Sequence, residues 1–145
     1  RFQNCYGPQG TWKGGREKAP AALCRKVAES TDGTIEVWGD GTAVRSFVYV
    51  DDLVDGVRRL VDSDCSDPTN IGTREYVSVR ELVQLVASAA GKEIDPVWVP
   101  GPVGVQNRNF SNDRIESLGF DPKFKLAEGL AHTYRWIANQ VTQRP

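Results

Sequence analysis

Arg1-Phe2-Gln3-Asn4-Cys5-Tyr6-Gly7-Pro8, followed after one residue by Gly10-Thr11-Trp12-Lys13-Gly14-Gly15-Arg16-Glu17-Lys18-Ala19-Pro20, is the stretch on which the reading of this chain turns. Arg1 to Tyr6 reads as a strand that runs into a Gly-Pro turn. Pro20 then opens a helix reaching Ala28, with Ala21, Ala22, Leu23, Cys24 and Val27 on a broad apolar side and Arg25 and Lys26 opposite. In a doubly wound α/β sheet ligands sit at the C-terminal ends of the strands, so Asn4 is placed at such a mouth. Its alternative task is to bond local backbone, as Asn near turns commonly does.

The intervening loop gathers Lys13, Arg16, Lys18 and the glycines Gly10, Gly14 and Gly15 around the single carboxylate of Glu17. Such a run packs poorly in a core and suits an anion: glycine admits close backbone approach, Arg presents a planar fork, and Lys supplies a compact charge. Lys18 is the residue to which we assign chemistry, because an ammonium loses affinity for its proton when buried or set among cations. With Pro20 in the first turn, Lys18 stands just before a helix whose free N–H groups favour anions. The competing reading is a solvated basic loop with no specific task.

Further along, Thr34 to Trp38 alternates as a strand, with Ile35 and Val37 on one side and Thr34 and Glu36 on the other. Gly39-Asp40-Gly41 lacks the third glycine of a dinucleotide fingerprint, and a second strand, Ser46 to Val50, stands where a helix would begin. Asp51 or Asp52 is expected to cap the helix carrying Leu53, Val54, Val57, Leu60 and Val61. Thr69 to Gly72 reads as a short strand and turn. Ser78-Val79-Arg80-Glu81 has the capping-box pattern of a helix that runs to Ala90 and stops at Gly91. Asp95 to Pro102 is extended, limited by its prolines to an edge or crossing position. A short helix from Asn112 to Leu118 and a last one from Leu126 to about Val141, striped by Leu126, Leu130, Tyr134, Ile137 and Val141, complete the chain. His132 lies off that stripe and receives no role, and the sequon Asn109-Phe110-Ser111 is read as accidental.

A chain of 145 residues with 39% hydrophobic and 26% charged residues is ordinary for one globular domain, which sets aside disorder. Eighteen basic against 19 acidic residues give a net charge of −1, which argues against a dedicated nucleic-acid or membrane-surface protein. No apolar run has the length of a membrane span and no signal peptide opens the sequence, so the expected setting is cytoplasmic. Cys5, Cys24 and Cys65 are an odd count at wide spacing, and His132 is the only histidine, so neither a disulfide framework nor a zinc cluster is expected. Cys5 and Cys24 are read as small core residues.

The opening through Tyr6-Gly7-Pro8, the loop, Trp38-Gly39-Asp40-Gly41 leading to Arg45-Ser46-Phe47-Val48-Tyr49-Val50-Asp51-Asp52, and Asn70-Ile71-Gly72 before Tyr76-Val77-Ser78 together resemble the C-terminal half of the extended short-chain dehydrogenases, the NAD-dependent epimerase/dehydratase family. Within it, Gly10 to Lys26 is similar to the GDP-mannose 3,5-epimerases, and the similarity runs the length of the chain. The resemblance implies an α/β fold made of the last strands of a Rossmann-like sheet and a small substrate-binding lobe. It also implies that the glycine-rich NAD loop, the Tyr-x-x-x-Lys pair and one acid/base cysteine lie upstream of Arg1. The expectation is therefore a single substrate-binding C-terminal domain, residues 1–145, without the N-terminal NAD-binding part.

In the mechanism implied by the family, NAD oxidises the sugar at C4, an acid/base pair exchanges protons at C3 and C5, and the hydride returns. Lys18 would be the acid, with Lys13 and Arg16 lowering its pKa. Asn4, Glu17, Lys18, Ala19, Lys26, Arg45 and Arg108 would bind the sugar nucleotide, and the peptide at Tyr6 would border the nicotinamide. Solvated charge is the competing reading for Lys26, and pairing with Asp113 for Arg108. Where the family carries a polar pair this chain has Ala43 and Val44, which leaves only backbone contacts there. The expected ligands are NAD, held by the full-length enzyme, and a GDP-mannose-like nucleotide sugar, with a homodimer as the expected assembly and no nucleic acid or membrane. Two alternatives stay open: a 4-epimerase or 4,6-dehydratase of another nucleotide sugar, and a binding fragment that is not catalytic by itself.

Overall fold

The computed structural model describes residues 1–101 and 110–143. Ten elements follow in order: β1 (Asn4–Tyr6), α1 (Ala19–Glu29), β2 (Thr34–Trp38), β3 (Val44–Tyr49), α2 (Val50–Val61), β4 (Tyr76–Ser78), α3 (Val79–Ala90), β5 (Asp95–Val99), α4 (Asp113–Ser117) and α5 (Leu126–Thr142). The α/β class expected from the sequence is what folds. One sheet has the order β1-β3-β4, with β1 and β3 parallel and β4 antiparallel to β3; β2 and β5 form a separate parallel pair. The strand expected at 69–72 reduces to one parallel bridge between Phe2 and Ile71.

Local chemistry explains the boundaries. Pro at an early position starts α1 where its missing N–H is harmless, and Lys92 Nζ donates to Val27 O and Ser30 O at the other end, taking up carbonyls that a helix terminus leaves open. Ser78 caps α3 in a complete capping box with Glu81, and left-handed Gly91 ends it. The alternation of β2 buries Ile35 and Val37 and leaves Thr34, Glu36 and Trp38 outside.

The main core joins α1, α3 and α5 to the inner faces of β2 and β3, with Cys24, Val27, Leu82, Val86, Leu130 and Ile137 fully enclosed. A second apolar cluster of Val48, Leu53, Ile71, Ile115 and Phe120 seats α2 and α4, and Cys5 packs beside it. Cys24 is thus the core residue expected, and Cys5, Cys24 and Cys65 are all free thiols.

The reading of Asp51 and Asp52 needs correction. Tyr49 holds the N-cap position of α2 without any side-chain cap. Asp52 is 3% exposed, and its two oxygens accept the N–H groups of Lys123 (2.9 Å) and Phe124 (3.1 Å), so this carboxylate fixes the approach to α5 instead. Among the described residues no helix is long and apolar enough to cross a membrane, and no cluster of His, Cys, Asp and Glu could hold a metal.

Candidate functional site

The glycine-rich loop and the start of α1 form a thin wall between two cavities. A cleft of about 720 Å³ is bounded on that side by Lys13, Gly14, Gly15, Glu17 and Ala19, while a smaller pocket of about 220 Å³ has Arg16 and Lys18 in its lining. Gly15, Glu17 and Ala19 therefore face one cavity, and Arg16 and Lys18 face the other. That alternation is what an extended backbone produces, and Lys18 has the extended dihedrals φ −75° and ψ 158°. Upstream of it the chain bends through two successive left-handed glycines, Gly14 (φ 94°) and Gly15 (φ 83°), a conformation that other residues rarely adopt.

The larger cleft is walled opposite the loop by Lys26 of α1, Trp38, Gly39, Asp40, Gly41, Ala43 and Arg45. Its ionisable lining is Lys13, Arg25, Lys26 and Arg45 against Glu17 and Asp40, an excess of cations that suits a ligand bearing more than one negative charge. Lys26 Nζ donates to the carbonyl of Glu36 at 2.6 Å, which ties α1 to β2 and holds the ammonium at the cleft margin. Arg45 donates to its neighbour's carbonyl, Val44 O, at 2.7 Å. Asp40 lies below the usual carboxylate range because the Thr42 hydroxyl and then the Thr42 N–H bond to it, so it stays charged.

The sequence-derived site residues separate under this geometry. Glu17, Ala19, Lys26 and Arg45 share the larger cleft, and Lys18 faces the smaller pocket beside Cys5, Tyr6, Gly7 and Arg16. Asn4 lines neither: its Nδ2 donates across the sheet to Ser46 O at 3.2 Å. Tyr6 touches the smaller pocket, but its ring is turned into the core, 5% exposed, with the hydroxyl donating to Leu126 O. Burial, then the charge of Glu75, pushes its phenol well above the usual range. Arg108 lies outside the described residues. Lys13 and Lys18 were expected to act together; in the structure Lys13 sits 5.0 Å above the Trp12 ring and lines the larger cleft, leaving Arg16 as the cation that shares a pocket with Lys18.

One residue of the cleft went unread in the sequence. Trp38 is 61% exposed although it is the largest side chain of β2, and it is part of the cleft lining. The signal was available: the alternation that buries Ile35 and Val37 puts residue 38 on the outer side with Thr34 and Glu36. An aromatic residue spent on an exposed position beside a cavity is a stacking surface for a planar group.

Residues 1–72 match the NAD dependent epimerase/dehydratase family. GDP-mannose 3,5-epimerase of Arabidopsis thaliana is 52% identical over 142 residues, which cover 97% of this chain and 37% of that protein. The structure of Thermotoga maritima UDP-glucose 4-epimerase with UDP-glucose superposes with a TM-score of 0.87 at 28% identity, over 97% of this chain and 45% of its own. Thermus thermophilus UDP-glucose 4-epimerase in complex with NAD gives a TM-score of 0.77 at 29% identity, over 94% of this chain and 45% of its own. The chain thus spans less than half the length of these relatives. The resemblance carried by the loop and by the strand motifs is borne out, and so is the fold class.

Proposed function

We propose that this chain, similar along 97% of its length to a GDP-mannose 3,5-epimerase, is the nucleotide-sugar-binding half of such an enzyme. One observation carries the reading: a cleft with a cationic lining and an exposed indole shares a wall one residue thick with the pocket of Lys18. A nucleoside diphosphate fits the first cavity by its chemistry. The base stacks on Trp38, and the diphosphate meets Lys26, Arg45 and, beyond the described residues, Arg108. The hexose then reaches past Ala19 to Lys18, whose ammonium holds and returns the proton exchanged at the sugar carbon, with Asn4 supporting the strand end below it.

NAD belongs to this proposal as the cofactor of the whole enzyme, where it supplies hydride transfer. The described residues are a poor cradle for it. Gly39 and Gly41 join β2 to β3, so no helix N-terminus follows them to receive a pyrophosphate. A cytoplasmic setting accompanies the reading, in keeping with three free thiols. A homodimer is part of the same proposal.

Calorimetric titration of the chain with GDP-mannose and, separately, with NAD tests the assignment. Saturable binding of GDP-mannose with weak or no binding of NAD is expected. A second reading, a 4-epimerase of a UDP-sugar, is favoured by the superposition on the T. maritima enzyme, and UDP-glucose in a third titration separates the two. Failure with every GDP-sugar ends the preferred reading.

A further inference from the structure

We propose that Glu17 is a positioning residue: its carboxylate braces the wall between the two cavities and thereby sets which of them Lys18 faces. The proposal rests on the nucleotide-sugar reading for its functional consequence, and on the ligand-free structure for its geometry. Glu17 has 8% of its side chain exposed, although it stands in a loop of charged and glycine residues. One oxygen accepts the N–H of Gly15 at 2.7 Å, and the other lies 3.4 Å from the Arg25 guanidinium. Arg25 is anchored in turn, one helical turn on, by Glu29 at 2.8 Å. Its Nε is buried without a partner, so the guanidinium stands where two carboxylates hold it and not where all its donors would be satisfied.

The wall needs such a brace. Gly14 and Gly15 are both left-handed, and a β-carbon on either would meet nothing within 4 Å, so nothing packs against the bend at these two positions. Glycine also has the most backbone freedom to lose. Because residues 15–19 present alternate sides, a shift of one residue would exchange the two linings: Lys18 would turn toward the larger cleft and Glu17 and Ala19 toward the smaller pocket. The bond from Glu17 back to Gly15 fixes that register at the loose end, and Arg25 fastens it to α1. Glu17 thus acts on a ligand through the loop, with both oxygens already engaged within the chain.

Two measurements on the 145-residue chain separate this from direct ligand contact. The first is hydrogen exchange at the Gly15 amide without ligand, for the wild type, Glu17→Ala and Glu17→Gln. A brace predicts about tenfold faster exchange at Gly15 in Glu17→Ala, unchanged exchange at Val27 within α1, and recovery in Glu17→Gln, whose amide oxygen still accepts the bond. The second is calorimetric affinity for GDP-mannose, expected to fall about tenfold in Glu17→Ala and to stay within about threefold of wild type in Glu17→Gln. Unchanged Gly15 exchange in Glu17→Ala overturns the proposal, whatever happens to affinity. So does an equal loss of affinity in both variants. If the wild-type chain binds no GDP-mannose, the nucleotide-sugar reading fails, and the exchange measurement still decides whether Glu17 braces the wall.

Discussion

Asp52 illustrates what a single buried carboxylate does here. Two backbone N–H groups, of Lys123 and Phe124, bond to it. Asp52→Ala is expected to lower unfolding free energy by about 1–3 kcal/mol in urea titration, since two half-buried donors lose a charged acceptor. Trp38 is the opposite case, a large residue whose removal leaves the core intact. Trp38→Ala is expected to weaken GDP-mannose binding about tenfold while the midpoint of urea unfolding stays put, in line with the ~1–3 kcal/mol that stacking a base on an aromatic contributes.

Glu17 carries a pH dependence of determinate sign. Its own backbone N–H, with further help from Gly15 N–H and Arg25, outweighs desolvation and holds its carboxyl below the usual Glu range in the folded chain. A depressed folded pKa means that the stabilisation is fully present above the unfolded value, about 4.3, and is lost as pH falls through the lower folded value. Gly15 amide protection, measured by exchange and corrected for its intrinsic pH dependence, should accordingly stay level through neutral and mildly acidic pH and collapse only under stronger acid.

Among the elements, α5 depends on one small residue. Gly129 lies inside that helix with the Tyr6 hydroxyl, and Tyr49 Cδ2 at 2.8 Å, hard against the place where a β-carbon would stand. Gly129→Ala gains up to ~1 kcal/mol of helix propensity but must push two rings of the main core. A net destabilisation of about 1–3 kcal/mol, read as a lower thermal midpoint, is expected. Elements of this kind differ in how plainly the sequence announces them. Thr34 to Trp38 was legible through strict alternation, and Ser78 with Glu81 through a cap whose partners are three residues apart. β4 was not, because three residues paired antiparallel to β3 are too short for a period to emerge. The role of Asp52 was hidden for a related reason: a carboxylate in a helix's first turn already has a sufficient local explanation, and its partners lie some 71 residues away. In the site, composition pointed to the loop, whereas the side each residue takes became visible only once the two cavities stood on either hand.

For the molecule as a whole, the larger cleft touches α1, β2, β3 and α3 at once. A ligand seated there bridges the two-stranded pair and the three-stranded sheet, which pack through the main core but share no strand. Binding to the native state alone should raise unfolding free energy by about 2.7 kcal/mol at a hundred times the dissociation constant. Denaturant titrations with and without GDP-mannose check this, and NAD at the same concentration should leave the curve unmoved.

The outward placement of Trp38 also has an optical side. Of the four indoles in the chain it alone is exposed, while Trp12, Trp98 and Trp136 are half-buried. Its emission should lie to the red of theirs and yield most readily to iodide, an anion that the positive lining draws in. A purine laid over that ring would shield it from the quencher, so the chain comes with a built-in, label-free gauge of whether its cleft is filled.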